Sequence, residues 1–370
     1  MKQVLFAAVL LYSGNLAAQN RSISFDSTSL ESSIEKAKSD NRLIFVDCYT
    51  SWCGPCKEMS KHVFTQDSVA DFFNAHFVNL KLDMEKGEGP AVKNEFHVEA
   101  YPTYLLLNSN RKLIYRFVGG MPADTFLART KKGMDTLNRV AILNERYNSG
   151  ERSKDLLQEY IKIKIEGMEL TVGEQVAAAY FDMLTPKEKL LPENWFLFGE
   201  NRYSLYLSNV HSRTFMYLAD HWREFARSNG REVVENKMRH MYQRIAEFCL
   251  QGWYFKDRLR NPIPYDKKEF DHYRTQIKST DFADKAQLLT LVDIAQAAAV
   301  KDTLKVTALM KAHIGGFSGE NQRVAFAYVG LFNSAQKRSN PDFSQILETI
   351  IQSNRNENLV RLAKSYVINK

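Results

Sequence analysis

The amino-acid sequence predicts two domains, an α/β domain followed by an all-α domain of helical hairpins. The chain has 370 residues, which is more than one compact core usually holds. Between residues 23 and 133, short apolar runs typical of buried strands alternate with segments of helical periodicity. After residue 133, apolar residues recur at helical spacing without strand-like alternation. We therefore place the α/β domain at residues 19–133 and the helical domain at residues 134–370.

The first eighteen residues have the pattern of a secretory signal peptide. Lys2 precedes an apolar run over residues 4–11, and the small residues Ala17 and Ala18 suit a cleavage site before Gln19. The run is too short to span a bilayer. We expect export to the periplasm or secretion, into a compartment where disulfides persist, as a protein that is soluble after cleavage. A buried N-terminal helix is the alternative.

The charge balance excludes some classes of partner. The formal net charge is +7, and no block of basic residues stands out along the chain. The sequence therefore predicts neither a nucleic-acid partner nor an anionic membrane surface. Beyond the first residues, no stretch of eighteen apolar residues occurs, so stable membrane insertion is not expected.

The α/β domain begins with a predicted strand, helix and strand. Residues 23–25 suit a short strand. Thr28 and Glu31 match a capping box, which predicts a helix that ends near Asp40. Residues 43–47 form a continuous apolar run ending in an aspartate, which is typical of a buried strand.

The next elements continue this alternation. We expect a helix over residues 55–62, with Met59 and Val63 facing the core, and a further helix capped by Ser68. The remaining predicted elements are a strand over 77–83, a short helix opened by 87–90, a hairpin of 103–107 with 113–118, and a helix over 123–132.

The most informative motif is Trp52-Cys53-Gly54-Pro55-Cys56, between a predicted strand and a predicted helix. Two cysteines with this spacing can close into a disulfide and reopen. At a helix N-terminus, the unpaired backbone N–H groups and the helix dipole stabilise the thiolate, which is the reactive form of cysteine. The motif therefore predicts thiol–disulfide chemistry with Cys53 at the start of the helix.

A zinc site is the alternative interpretation of the same cysteines. It would need Cys48 and His62 as further ligands, giving the spacing C-x4-C-x2-C-x5-H. This spacing fits no usual zinc pattern, and Pro55 favours a tight helix start over a metal-binding turn. The sequence predicts no metal and no cofactor.

The order of these motifs resembles the thioredoxin superfamily. The matching features are Asp47 at the end of a buried strand, the W-C-G-P-C motif at 52–56, and Tyr101-Pro102-Thr103 before a hairpin strand. The middle segment is similar to the periplasmic C-terminal thioredoxin domain of the transmembrane thiol-reductant conductor, through Lys57-Glu58, Val63-Phe64 and Val69. The resemblance covers residues 23–133 and implies a thioredoxin-like fold with oxidoreductase activity.

The resemblance assigns catalytic roles to three residues. Cys53, expected to be the more exposed cysteine, would attack a substrate disulfide to form a mixed disulfide, and Cys56 would resolve it. A buried carboxylate at Asp47 should have a raised pKa or a charged partner, for which Lys81 is a candidate. In the resembled family the matching aspartate accepts the proton of the resolving cysteine. A purely structural hydrogen-bonding role for Asp47 is the alternative.

Five residues are predicted to contact substrate. Trp52 would shield the cysteines and offer an apolar landing face, unless it only packs. Gly54 and Pro55 form the pair found between the cysteines of reducing thioredoxins. The resemblance implies a cis peptide bond before Pro102, and the backbone of Tyr101 would then hydrogen-bond an extended substrate strand.

Cys48 and Cys249 are the two further cysteines. Cys48 follows Asp47 on a strand and should point to the opposite face. Both lie among apolar neighbours, which favours buried free thiols. A disulfide between the two domains is the alternative.

The motifs of the helical domain do not point to a particular family. Apolar stripes such as Phe215, Leu218, Trp222 and Phe225 predict roughly ten helices of 12 to 22 residues. Breaks are predicted at 149–150, 185–186, 229–230, 261–264, 315–316 and 340–341. The domain's expected role is to position partners for the redox domain.

Taken together, the sequence predicts an exported thiol–disulfide oxidoreductase that reduces or isomerises disulfides in exported proteins. Because an exported reductant must itself be reduced again, a membrane protein that donates electrons is an expected partner. A disulfide oxidase is one alternative. Another is a client-binding or chaperone module in which the helical domain carries the main function.

Overall fold

The computed structural model describes residues 21–25, 27–135, 139–199, 201–257, 260–330 and 341–367. The predicted signal peptide at residues 1–18 lies outside these ranges. The chain divides into two compact units, Met1–Tyr180 and Phe181–Lys370. Within the described residues, no helix is both long and apolar enough to cross a membrane.

The first unit contains a four-stranded sheet with the order β2-β1-β3-β4. Its strands are β1 Leu43–Tyr49, β2 Phe77–Asp83, β3 Thr103–Leu107 and β4 Leu113–Val118. β1 and β2 are parallel, whereas β3 is antiparallel to both β1 and β4. The strands predicted from residue 43 onward are confirmed, and β1 continues to Tyr49, two residues beyond the predicted end at Asp47.

Helices flank the sheet and continue after it. They are α1 Leu30–Asp40, α2 Gly54–His62, α3 Asp67–His76, α4 Gly89–Glu95, α5 Ala123–Met134, α6 Arg139–Asn148, α7 Lys154–Glu166 and α8 Leu170–Met183. The predicted helices of the α/β domain are confirmed, and Met59 and Val63 are buried as expected.

Two apolar clusters cover opposite faces of the sheet. Because side chains alternate along a strand, Ile44, Val46 and Cys48 of β1 join the cluster that contains α1. Phe45 joins the second cluster, which is mainly aromatic: its ring packs edge-on against Phe73 at a centroid distance of 4.6 Å. Cys48 therefore points to the face opposite Asp47, as predicted.

Three local predictions at the start of this unit are wrong. Residues 23–25 form no strand, because the backbone N–H of Ile23 donates to the carbonyl of Phe64 at 2.9 Å instead of joining the sheet. The capping box of α1 is made by Ser29 and Ser32 rather than by Thr28 and Glu31.

The third wrong prediction is the cap of helix α3. It begins at Asp67 after Gln66, whose side chain caps nothing, so that Ser68 lies inside the first turn. Polar side chains are common around helix starts, and the choice of cap depends on where the preceding chain enters.

The first compact unit extends beyond residue 133, where the sequence placed the end of the α/β domain. Helix α6 packs against β4, and α6 also contacts α7. Leu143 of α6 and Leu156 and Ile161 of α7 are buried. Burying an aliphatic side chain contributes about 1.5–3 kcal/mol, so these helices add to the stability of this unit.

The second unit is helical in its described residues, apart from an isolated bridge between Lys256 and Pro262. Its helices are α9 Pro186–Lys189, α10 Ser204–Leu207, α11 Arg213–Asp220, α12 Trp222–Asn229, α13 Arg231–Gln251, α14 Lys267–Ser279, α15 Lys285–Ala299, α16 Thr303–His313, α17 Gly319–Gly330, α18 Pro341–Ser353 and α19 Glu357–Val367, with 3₁₀ turns at Pro192–Leu197 and Ile314–Gly316.

Several of these helices are shorter than predicted. The apolar stripe over residues 215–225 is divided between the eight-residue helices α11 and α12, because the chain leaves helical geometry at His221. Phe215, Leu218, Trp222 and Phe225 are nevertheless all buried, so the stripe is core as predicted. The predicted break at 229–230 is confirmed by Gly230, whose φ is 95°.

Candidate active site

Cys53 and Cys56 form a disulfide at the start of α2. The sulfur atoms are 2.04 Å apart and the Cα atoms 5.3 Å apart. Cys53 is the N-cap of the helix, and its Sγ accepts the backbone N–H of Cys56 at 3.1 Å. Pro55 lies in the first turn, where the missing N–H of proline leaves no helical hydrogen bond unmade. The motif therefore directs a backbone N–H at the sulfur of Cys53.

The expectation that Cys53 is the more exposed cysteine is wrong for this disulfide form. Each of the two residues is 3% exposed. The sulfur of Cys53 accepts the backbone N–H of Cys56 in the first helical turn. The neighbouring Trp52, Gly54 and Pro55 are the exposed part of the motif.

Asp47 is buried on β1 and points to the same face of the sheet as Phe45. It is 1% exposed. Its Oδ2 accepts a hydrogen bond from Lys81 Nζ at 2.6 Å, while its Oδ1 has no hydrogen-bond partner. Lys81 stands opposite Asp47 in the parallel register of β1 and β2, so the predicted pairing is confirmed. Burial raises the pKa of Asp47, and the charge and hydrogen bond of Lys81 oppose this shift only in part.

Lys81 connects Asp47 to the active-site helix. Its Nζ also donates to Ser60 Oγ of α2 at 2.8 Å. The ammonium group lies 4.7 Å from the ring centroid of Tyr49 and 5.3 Å from that of Phe64. Cation–π contacts of this kind stabilise a charge that is partly removed from water.

Trp52 and Tyr101 form an aromatic surface beside the disulfide. Trp52 is 64% exposed. Its ring meets that of Tyr101 edge-on at a centroid distance of 5.9 Å, and its Nε1 donates to Glu85 Oε1 at 3.0 Å. An exposed indole held on two sides is a rigid apolar surface on which a peptide could land.

The peptide bond between Tyr101 and Pro102 is cis, as the resemblance implied. Pro102 is buried, and its carbonyl accepts the backbone N–H of Gly119 at 2.9 Å. Gly119 has a φ of 99°, which lets the chain turn sharply at the end of β4. A Cβ on the next residue, Gly120, would lie 3.5 Å from Pro55 Cβ, so this turn lies against the cysteine motif.

Two residues of the site were not identified from the sequence. Ser60 lies one turn beyond Cys56 on α2, and Glu85 follows the end of β2. Neither belongs to a motif, and each acts only through a partner that is distant in sequence. A signal did exist for Ser60, since its polar side chain lies next to the inward-facing Met59 in the active-site helix.

Cys48 and Cys249 are both buried free thiols, so the alternative of an interdomain disulfide is not realised. Burial raises the pKa of Cys48 well above that of an exposed thiol, and the charge of Asp47 adds to this effect. A thiol in this state is a poor nucleophile and a poor metal ligand. Among the described residues, no three His, Cys, Asp or Glu side chains gather in the manner of a metal site.

Comparison with known proteins agrees with this geometry. A family described as "Thioredoxin-like domain" matches residues 30–133. Thioredoxin-1 of Saccharomyces cerevisiae is 39% identical over 95 residues, which are 25% of this chain and 82% of the yeast protein. Thioredoxin-1 of Drosophila melanogaster is 39% identical over 74 residues, and the match spans 20% of this chain and 64% of the fly protein.

Two further relatives act, by their names, on disulfides. The thiol:disulfide interchange protein DsbD of Tatumella citrea is 27% identical over 124 residues, 32% of this chain and 22% of that protein. The solution structure of a proposed disulphide-isomerase from Bacteroides thetaiotaomicron is 47% identical and covers 32% of this chain and 98% of its own, with a TM-score of 0.30. Through its N-terminal domain, which carries the Cys53–Cys56 pair of a thiol–disulfide oxidoreductase, the chain belongs to the thioredoxin superfamily.

Proposed function

We propose that this protein is an exported thiol–disulfide oxidoreductase that reduces or isomerises disulfides in other exported proteins. The observation that carries the proposal is the Cys53–Cys56 disulfide at the N-terminus of α2, with an N–H group directed at the sulfur of Cys53. A helix N-terminus stabilises the thiolate that the reduced pair needs for attack.

The proposed reaction transfers two electrons from the reduced pair to the substrate. The Cys53 thiolate attacks one sulfur of the substrate disulfide, so that a mixed disulfide forms and the first substrate thiolate leaves. Cys56 then loses its proton and attacks Cys53 Sγ. The Cys53–Cys56 disulfide forms, and the second substrate thiolate leaves and takes up a proton.

Asp47 is the proposed acceptor of the Cys56 proton. The support comes from its burial, its raised pKa and the free Oδ1, because a carboxylate with these properties binds a proton more readily than an exposed one. Lys81 would hold the carboxylate in place from the other oxygen.

Trp52, Tyr101 and Pro102 are the proposed substrate surface. The exposed ring of Trp52, with the half-buried ring of Tyr101 beside it, would contact apolar side chains, and the backbone of Tyr101 would pair with an extended segment of the substrate. Gly54 and Pro55 border this surface and would leave room for the incoming chain.

Export and the electron donor are further parts of the proposal. Residues 1–18 have the pattern of a signal peptide, and the likeness to DsbD agrees with an extracytoplasmic site. In an oxidising compartment the pair would have to be reduced after each cycle, so a membrane protein that delivers reducing equivalents is the proposed partner.

The experiment that tests the direction of electron flow is a redox titration. The protein is equilibrated in glutathione and dithiothreitol buffers, the free thiols are alkylated, and the oxidised fraction is read by intact mass. A potential near or below about −240 mV supports a reductant, whereas a potential near about −150 mV would indicate a donor of disulfides. A pair that never forms a disulfide would contradict the oxidoreductase function altogether.

A trapping experiment tests the substrates. In Cys56→Ala the mixed disulfide on Cys53 cannot be resolved, so substrates should remain covalently attached to the protein. The double variant Cys53→Ser/Cys56→Ser is the control, and attachment of the same proteins to it would mean that they do not pass through Cys53.

A further inference from the structure

Residues beyond 133, outside the range 30–133 that matches the family, help to hold the segment that carries Pro102. We call residues 96–102 the proline loop; it connects α4 to β3 and ends at the cis bond. Near its start, His97 has a φ of 47°, a conformation that side-chain-bearing residues rarely adopt. An irregular segment of this kind keeps one conformation only if its surroundings hold its polar groups.

Arg116 of β4 holds the start of the proline loop. Its guanidinium donates to the carbonyl of Phe96 at 2.7 Å and to that of His97 at 3.3 Å. The side chain is 1% exposed, and it stands opposite Leu105 in the register of β3 and β4. A cation at this position also suits the C-terminal end of α4.

The charge of Arg116 is balanced by the helices that follow residue 133. Glu169, directly before α8, lies 3.3 Å from Arg116 Nη1 and 3.1 Å from Lys164 Nζ. Lys164 also donates to Asn144 of α6 at 2.9 Å. All three charged side chains are buried. At Gly167, between α7 and α8, a Cβ would lie 3.0 Å from Arg116 Cδ, so the glycine leaves room for this side chain.

Glu99 makes a second link, closer to the cis bond. Its Oε1 accepts the backbone N–H of Thr171 at 2.9 Å, in the first turn of α8. First-turn N–H groups have no partner within their helix, and the helix dipole favours a negative charge there. Glu99 lies two residues before Tyr101, whose backbone is the proposed docking edge for substrate. Residues of both α8 and the loop belong to the first compact unit.

We propose that Glu99 is a positioning residue for substrate docking: α8 holds its carboxylate, and this contact fixes the backbone of Tyr101. Arg116 and Glu169 fix the other end of the proline loop. The proposal rests on the proposed function, since it concerns how an extended disulfide substrate reaches Cys53. It also gives helices beyond residue 133 a part in substrate recognition. A small disulfide without a peptide backbone would not use the Tyr101 edge and would be indifferent to Glu99.

The test compares two substrates in single-turnover reactions of the full chain, which is first reduced and then freed of dithiothreitol, because dithiothreitol would itself reduce both substrates. One is a short peptide closed by a disulfide, and the other is dithiobis(nitrobenzoate), which has no peptide backbone. The variants are Glu99→Ala and Glu99→Gln, whose amide oxygen can still accept the Thr171 N–H. Glu95→Ala is the matched control, because Glu95 also binds a neighbour, Arg111, at 2.7 Å but lies outside the loop.

We expect Glu99→Ala to raise KM for the peptide about tenfold, as the loss of one hydrogen bond to a charged group would. Turnover of dithiobis(nitrobenzoate) and the Cys53/Cys56 redox equilibrium should change less than about twofold, a change too small to reflect a lost hydrogen bond. In Glu99→Gln the KM for the peptide should return most of the way to the wild-type value. In Glu95→Ala the KM for the peptide should equal the wild-type value. A second variant, Glu169→Gln, changes a residue outside the proline loop, and it should also raise the KM for the peptide.

Two results would overturn the positioning role. One is an unchanged peptide KM in Glu99→Ala; the other is an equal loss on both substrates together with a lower melting temperature, which would mean a structural role only. In both cases the wild-type chain still turns over its substrates, and the proposed function stands. If wild type turns over neither substrate, the proposed function fails, and the positioning role falls with it.

Discussion

At the scale of single residues, Asp47 places a carboxylate where water has almost no access. One of its oxygens is paired with Lys81 and the other with nothing. Burial disfavours the charged form and raises the pKa of this group, despite the nearby ammonium. The same property that makes Asp47 a candidate proton acceptor therefore weakens the fold whenever the carboxylate is ionised.

The pH dependence of this effect follows from its sign. With a raised folded-state pKa, the folded protein holds the proton at pH values where the unfolded chain has already lost it. Stability therefore falls as pH rises from the ordinary carboxyl pKa toward the raised one, by at most about 1.4 kcal/mol per pH unit. Below the ordinary carboxyl pKa, both states are protonated and the loss disappears.

We expect Asp47→Asn to raise the free energy of unfolding of the oxidised protein at pH 7, and the gain to shrink as the pH is lowered to 4. Urea unfolding at several pH values measures both. Glu58→Gln, on the exposed side of α2, is the control and should change stability by less than about 0.5 kcal/mol. A gain in Asp47→Asn that is the same at every pH would mean that ionisation of Asp47 is not its cause.

Much of the site could be predicted from the sequence at this scale, and the rest could not for physical reasons. The Asp47–Lys81 pair could be foreseen because a buried carboxylate needs a partner and the neighbouring strand offers a lysine. Glu85 could not, since an exposed indole such as Trp52 does not need an acceptor within the protein. The burial of Cys53 is not predictable from the spacing of the cysteines, because it depends on how the folded chain surrounds the motif.

At the scale of elements, α1 shows which parts of a helix its sequence determines. Its length and its buried face were predictable from the spacing of Leu30, Ile34 and Ala37, which are all buried. Its cap was not, because several neighbouring residues can cap, and tertiary contacts decide among them. Here the backbone N–H of Leu30 donates at 2.7 Å to Oε1 of Glu88, which lies far along the chain.

The capping box of α1 gives a prediction with an internal control. Ser29 Oγ accepts the N–H of Ser32 at 3.1 Å, and Ser32 Oγ accepts that of Ser29 at 3.2 Å. Ser29→Ala should therefore lower the free energy of unfolding by about 1 kcal/mol, the usual loss for an N-cap. Thr28→Ala should lower it by much less. Equal losses in the two variants, measured by urea unfolding, would contradict the assignment of the cap.

At the scale of the molecule, the first compact unit extends to Tyr180, whereas the sequence predicts an α/β domain at residues 19–133. The fold class followed from length and periodicity, and the end of the α/β domain from the last helix of its pattern. The helices beyond residue 133 that join the first unit do so partly through Arg116, Lys164 and Glu169. Sequence patterns assign charged residues to the surface. A buried ionic cluster is therefore invisible to hydrophobic periodicity.

This arrangement predicts that the first unit is more stable when it includes α6 and α7. In a fragment of residues 21–135, Arg116 loses Glu169, and the face of β4 that α6 covers becomes exposed. A fragment of residues 21–180 keeps both contacts. We expect the shorter fragment to melt at least about 5 °C below the longer one, since each 1 kcal/mol shifts the midpoint by about 2–4 °C in domains of about 150 residues and by more in shorter ones.

Calorimetry of the two oxidised fragments measures this difference, and Glu169→Gln in the longer fragment separates its causes. If the ionic cluster dominates, the substitution should bring the midpoint most of the way to that of the shorter fragment, because a buried cation left without its counter-charge is strongly destabilising. If apolar packing of α6 on β4 dominates, the midpoint should fall much less. Equal midpoints for the two unsubstituted fragments would show that the helices beyond residue 133 add nothing to the stability of the thioredoxin-like domain.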